Sequence, residues 1–192
     1  MFVTDTLIQD MERRFGTPKL REFRISSTPA EVQRIIESRR DGRNHDATVY
    51  VRKGSQLIVI AKHSYPLGLY RAPSGGLYPG EDFMTGINRE MAEELGCEIE
   101  LKQFLMRTSA HFDADDDSGQ TVFWRSFVFL ADYVRGDFNY TDHNEIREVR
   151  LADWEEFEIF GRIMREVGWG GLIYRAQLHE AVVELLANSA GR

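Results

Sequence analysis

The chain has 192 residues, of which 42% are hydrophobic and 29% charged, and it carries a formal net charge of -7. Ordinary globular usage at about one-domain length excludes disordered, collagenous and coiled-coil classes. The acidic balance has the wrong sign for a partner held by a polyphosphate backbone, so no nucleic-acid polymer is expected; a small phosphorylated ligand is compatible if a metal supplies positive charge.

One cysteine, Cys97, forms no internal disulfide and fits a reducing compartment. No apolar run approaches the roughly 20 residues a membrane span needs. The first residues, MFVTDTLIQDMERRFG, mix acidic groups into the apolar ones and lack the order of a signal peptide, which gives the expectation of a cytoplasmic protein without membrane partners.

In chain order, Phe2, Leu7, Ile8 and Met11 have loose helical spacing over residues 2–14, and Phe23 and Ile25 alternate with charged neighbours as in a short strand. Thr28-Pro29-Ala30-Glu31 reads as a capping box with proline at the first helical position. Val32, Ile35 and Ile36 supply that helix's apolar face, and Asp41-Gly42 ends it. The runs ATVYV and QLIVIAK flank the turn Lys53-Gly54-Ser55 and predict a hairpin. A Gly- and Pro-rich stretch from Leu67 to Asp82 then leads into a helix over 82–96. Residues 121–134 form the longest β-like run. Asp153-Trp154-Glu155-Glu156 starts another helix, and two late helical segments are broken at Gly168–Gly171. Strands on both sides of a central helix, with helices at the chain ends, predict an α/β or α+β sandwich.

The helix at 82–96 carries chemistry. Met84, Ile87, Met91 and Leu95 share one face, while Glu90, Glu93 and Glu94 share the next. Carboxylates at such spacing repel one another by a few tenths of a kcal/mol per pair, and only Arg89 lies nearby in sequence. Hard divalent cations such as Mg²⁺ and Mn²⁺ prefer such oxygen ligands. Before the helix, Ser74-Gly75-Gly76 and Pro79-Gly80 allow close backbone approach to a ligand.

Together the loop and helix read Gly75, five residues, Glu81, seven residues, Arg89-Glu90, Met91, one residue, Glu93-Glu94, one residue, Gly96, Cys97. This resembles the Nudix box, G-x5-E-x7-R-E-U-x-E-E-x-G-U, at every fixed position. Chance would produce such a match in about one chain in a million at average residue usage. Cys97 stands where Ile, Leu or Val is usual, and a buried thiol acts as a small hydrophobe. The order of flanking elements extends the resemblance over roughly residues 45–160. It implies a Nudix hydrolase domain there, with residues 1–44 an N-terminal extension packed on it and 161–192 C-terminal helices of the same domain.

The resemblance implies a Nudix fold, a mixed sheet between helices, and Mg²⁺- or Mn²⁺-dependent hydrolysis of a diphosphate bond in a nucleoside diphosphate derivative. By position it implies Glu90, Glu93 and Glu94 as metal ligands, with the Gly75 carbonyl completing the set, and Glu81 with Arg89 as a supporting pair. Glu93 is thus assigned among both the metal-binding and the catalytic residues. For the general base, Glu145 is preferred over Glu148. Arg71, and Arg52 or Lys62 on the hairpin, are candidate phosphate ligands; Tyr70, Tyr78 and Phe112 are candidate stacking residues, with packing the plainer reading of each. Asp113, Asp115, Asp116 and Asp117 read as a solvated loop, and His63, His111, His143 and His179 as surface or packing residues. Subfamily marks outside the box are absent: no proline follows Pro79, as ADP-ribose pyrophosphatases tend to have, His111-Phe112-Asp113 stands where dinucleoside-polyphosphate members tend to have a tyrosine, and the NADH-type and coenzyme A signatures are missing. Nucleotides, sugar nucleotides and damaged nucleotides therefore remain open as substrates. A non-hydrolytic nucleotide-binding or regulatory protein is the alternative, and retention of all the box glutamates favours the hydrolase. Spare apolar helices at both chain ends suggest a homodimer.

Overall fold

The computed structural model describes residues 3–39 and 43–190. Helix α1 (Asp5–Phe15) is capped by the Thr4 hydroxyl and precedes strand β1 (Lys19–Ser27) and helix α2 (Pro29–Ser38). The Thr28/Glu31 capping box forms in full. The end of α2 lies at Ser38 with Arg39 as its cap; Phe2 and the Asp41-Gly42 stop fall outside the described residues. The hairpin is β2 (His45–Lys53) and β3 (Gln56–Lys62), turning on Gly54, whose φ of 66° suits glycine. A two-residue strand β4 (Ser74–Gly75) leads to α3 (Phe83–Leu95). Two long strands follow, β5 (Cys97–Ala114) and β6 (Thr121–Gly136), then β7 (Ile146–Ala152), α4 (Glu156–Val167) and α5 (Gly170–Ala190). Strand β5 was not legible in advance, because charged residues such as Glu98, Glu100 and Lys102 interrupt its apolar ones.

The strands form one mixed sheet in the order β1-β5-β6-β2-β3-β7, with β4 paired to β2. β1 runs parallel to β5 and β6 parallel to β2, while the remaining pairs are antiparallel. Alternation along each strand feeds two cores. Val49, Val51, Ile58, Ile60, Phe127 and Phe129 point to the side of α1 and α3. Tyr50, Leu57, Val59, Val128 and Leu130 point to α4 and α5. Both faces of the central strands are covered, which makes the molecule a helix–sheet–helix sandwich as the sequence pattern predicts.

The terminal helices bury their faces within the chain. Ile8 and Met11 of α1 enter the first core, and Leu172, Leu178 and Val182 of α5 the second. This removes the reasoning that led to a homodimer, since those faces do not call for a second copy. Polar groups set the seat of α5 on the sheet. Tyr174 Oη lies 2.6 Å from Thr108 Oγ1 and 2.7 Å from Ser126 Oγ, Arg175 reaches Asp46 and Thr48, and His179 Nδ1 is hydrogen-bonded to the Tyr50 hydroxyl. No described helix is long and apolar enough to cross a membrane.

Candidate active site

Asp82 starts α3 by accepting a 3.0 Å bond from the Thr85 amide, and Gly96 ends it in the left-handed region at φ 63°. Phe83, Ile87, Met91 and Leu95 anchor the helix in the core, which leaves its acidic side over the preceding loop. Arg89 ties loop to helix. Its Nε and Nη2 donate to the two oxygens of Glu81 at 3.1 and 3.0 Å, Nη2 also to the Gly76 carbonyl at 2.9 Å, and Nη1 to Glu90 at 2.8 Å. The guanidinium lies 4.1 Å above the Tyr78 ring, and Glu81 accepts a further bond from the Tyr78 amide. Such a fork fixes two carboxylates and a turn with one side chain.

A cavity of about 490 Å³ opens beside this loop, a size suited to a nucleotide. Glu90 and Glu94 of α3 lie at one end with the Gly75 backbone. A Cβ at Gly75 would fall 1.9 Å from Cδ of Glu90, so only glycine lets that carboxylate lie against the loop. Glu94 is 3% exposed; its Oε2 accepts from the Ser74 amide at 3.0 Å, and Arg71 stands 3.9 Å away. Burial raises the pKa of both Glu90 and Glu94 above the ordinary carboxylate value, opposed by Arg89 at the first and by Arg71 and Lys62 at the second. Lys62 pairs with Glu145, and burial and then Arg71 lower its pKa.

Arg175 supplies a clamp from α5. Nη2 donates to Asp46 at 2.6 Å and to Ser74 Oγ at 3.1 Å, and Nη1 donates to Thr48 Oγ1 at 2.8 Å. Thr48 and Ser74 face each other in the β2–β4 ladder, so one guanidinium bridges the short strand that carries Gly75 to the sheet behind it. Arg71 donates to the same Ser74 hydroxyl at 2.9 Å.

A family model for the NUDIX domain matches residues 42–168. The chain belongs to the Nudix hydrolase family. No curated protein matches it. Solved structures similar to it include a NUDIX hydrolase from Nitrosomonas europaea, at 17% identity over 62% of this chain and 78% of that one, with a TM-score of 0.48. A NUDIX-family hydrolase from Clostridium perfringens is 13% identical over 61% and 85%, with a TM-score of 0.45. A MutT NUDIX hydrolase from Burkholderia pseudomallei is 19% identical over 58% and 84%, with a TM-score of 0.42.

The Nudix residues expected from sequence divide by position. Gly75, Glu90, Glu94, Glu145 and Arg71 line the cavity. Glu81 and Arg89 lie beneath it as the tie described above. Glu93 does not line it: its side chain is 47% exposed and meets Arg89 at 3.4 Å, while its carbonyl accepts the amides of Thr141 and Asp142. Arg52 also lies elsewhere. It sits at the hairpin end of β2, several residues along the strand from the Gly75 ladder, with Nε 2.9 Å from Asp132. Arg71 is only 2% exposed and is spent on Ala72, Ser74 and Tyr65. Tyr70 and Phe112 are packed in the interior, and Tyr78 stacks on Arg89 outside the cavity. Asp113 pairs with Arg24, and Asp116 accepts from Ser118. Cys97 is buried in the core, where burial pushes its thiol up to about 11.

Sequence reasoning missed Arg34, Arg43, Asp46, Trp124, Trp169 and Arg175, all of which line the cavity. No local spacing marks them, because they come from α2, the loop before β2, β2, β6, the turn between α4 and α5, and α5, and meet only in the folded chain. The donor set at the box end suits a hard divalent ion, with two carboxylates and a glycine backbone against them. Among the described residues no group of three or more His, Cys, Asp or Glu side chains is gathered to hold an ion, so the backbone, solvent and substrate oxygens have to supply the remaining ligands.

Proposed function

We propose that this protein hydrolyses a diphosphate bond in a nucleoside diphosphate derivative, with Mg²⁺ or Mn²⁺ held by Glu90, Glu94 and the Gly75 carbonyl. The observation that carries the reading is the meeting of Gly75 with Glu90 at the floor of a nucleotide-sized cavity, where Glu94 is buried alongside. A divalent ion there would offset the charge of the diphosphate and acidify the attacking water.

The chain's own residues do the rest. Arg89 and Glu81 hold the loop against α3, and Arg175 with Ser74 keeps Gly75 in register on β2. The Ser74 amide keeps one oxygen of Glu94 fixed and leaves the other toward the cavity side, near Arg71. Glu145 lines the cavity and is the proposed general base, accepting the proton of the attacking water; its partner Lys62 holds it in place. Glu93, facing out toward Arg89, fits a part in holding that arginine better than a part in holding the ion.

The test is a screen of nucleoside diphosphate derivatives, with sugar nucleotides, nucleoside triphosphates and oxidised nucleotides included, followed by phosphate and nucleotide release. Release that depends on added Mg²⁺ or Mn²⁺ is expected for at least one compound. Binding of a nucleotide without turnover under every metal condition would point instead to a sensing role.

A further inference from the structure

The cavity is lined by five cationic side chains and five carboxylates, and their pairing leaves an uneven remainder. Lys62 pairs with Glu145, Arg71 with Glu94 and Arg175 with Asp46. Glu31 is consumed by the Thr28 cap of α2 and by the Gly170 amide, and Glu90 takes Arg89 from beneath the floor. Arg34 and Arg43 are left without a carboxylate partner among the described residues. On a chain with a net charge of -7, two guanidiniums left over in one cavity point to an anionic ligand.

Arg43 has a built seat. It lies against the Gly76 backbone, where a Cβ would fall 1.7 Å from its Nη1, and its other side faces the Trp124 ring with Cζ 6.0 Å from the centroid. Its Nε is buried with no hydrogen-bond partner among the described residues. Its contact with Gly76 places it at the box end of the cavity, which Gly75 and Glu90 also line. Arg34 is farther out, on α2, and its one hydrogen bond is a 3.4 Å contact to the Ala30 carbonyl of its own helix. Helix α2 lies outside the segment that matches the Nudix domain, so this second cation is an addition of this chain to the domain.

We propose that Arg43 binds the diphosphate and that Arg34 binds one further phosphate on the same molecule, so that the cavity selects compounds with a phosphate beyond the bond to be cleaved. The proposal rests on the functional reading above and narrows its substrate class. Arg34 and Arg43 replace Arg71 and Arg52 as the phosphate-binding arginines, because Arg71 is occupied within the floor and Arg52 is elsewhere on the sheet.

Trp124 beside Arg43 gives a direct readout that needs no turnover. Its emission, assigned by its loss in Trp124→Phe, is followed while inorganic pyrophosphate or tripolyphosphate is titrated with and without Mg²⁺. The parent should bind tripolyphosphate about tenfold more tightly than pyrophosphate. Arg34→Ala should erase that ratio and Arg34→Lys restore part of it, while Arg43→Ala should weaken both anions by about tenfold or more. Equal affinity of the parent for the two anions, or an unchanged ratio in Arg34→Ala, overturns the proposal. A parallel assay compares hydrolysis of NADP with NAD, coenzyme A with its dephosphorylated form, and a nucleoside triphosphate with its diphosphate. Hydrolysis with no preference for the extra phosphate in any pair removes this inference and leaves the functional reading standing; a binding preference with no hydrolysis of any compound does the reverse.

Discussion

Replacing Gly75 by alanine probes the meeting of loop and helix at a single atom. The backbone there is not in the left-handed region, so the added methyl brings no torsional strain and acts only through contact. Its ideal position lies 1.9 Å from Cδ and 2.0 Å from Oε2 of Glu90, and ordinary contact begins at 3.4 Å, so the carboxylate must withdraw by about 1.5 Å. Glu90 is the end of a flexible side chain, and its 2.8 Å bond from Arg89 is the main contact at risk. Losing one partly buried charge-assisted bond costs about 1–2 kcal/mol, so the fold should persist with a modestly lower melting temperature. Catalysis is far less tolerant, because a displacement of about 1 Å in a group that positions the reacting atoms can cost about 10²-fold, or roughly 2.7 kcal/mol of barrier. Initial rates on the best substrate of the screen, with Mn²⁺ titration of each variant, measure this directly. If the effect passes through Glu90, adding Gly75→Ala to Glu90→Ala should cost less than about twofold more. Full activity of Gly75→Ala, or full additivity with Glu90→Ala, would refute the reasoning.

Glu94→Gln keeps the shape that accepts the Ser74 amide and removes the charge, so turnover should fall by about 10²-fold or more while urea unfolding stays close to the parent. A parent-like rate would show that this carboxylate has no part in the reaction. Gly96→Ala should act in the opposite sense: the residue has φ 63° and its Cβ would meet the backbone of Asn139 at 2.4 Å, so loss of about 3 kcal/mol or more of stability is expected, read from urea midpoints. For pH, burial first, then Arg175 and Arg71, lower His179 to about 3 from its ordinary 6.5. Between those values the unfolded chain binds the proton and the folded chain does not, so stability falls as pH drops below 6.5. At pH 5 this amounts to about 2 kcal/mol, and His179→Gln should flatten the slope of stability between pH 7 and 5. An unchanged slope in that variant would mean that His179 is not the group responsible.

The sequence by itself determined the box. Its residues lie within one loop and one helix, where separation along the chain fixes separation in space: Arg89 meets Glu81 because a turn of known geometry precedes a helix that Asp82 caps and Gly96 ends. The Thr28/Glu31 capping box and the β2–β3 hairpin were legible for the same reason, being local. Which of the three clustered glutamates face the cavity was not, since helical spacing puts Glu90, Glu93 and Glu94 on one side and only the burial of α3 against the sheet separates Glu93 from the other two. The role of α5 was hidden as well. Tyr174, Arg175 and His179 look like solvent-facing polar residues in a helix of mixed pattern, yet they are buried against Thr108, Ser126, Asp46 and Tyr50.

The far wall of the cavity was decided by tertiary structure alone. Arg34 and Arg43 are tens of residues from Trp124, and Trp124 from Arg175, and no repeat or spacing links them. They come together because β6 runs parallel to β2, and because the helices before and after the Nudix segment fold back over the same end of the sheet. Chemistry concentrated in a short segment can be read from one sequence. Recognition built from distant segments depends on packing, which one sequence does not display.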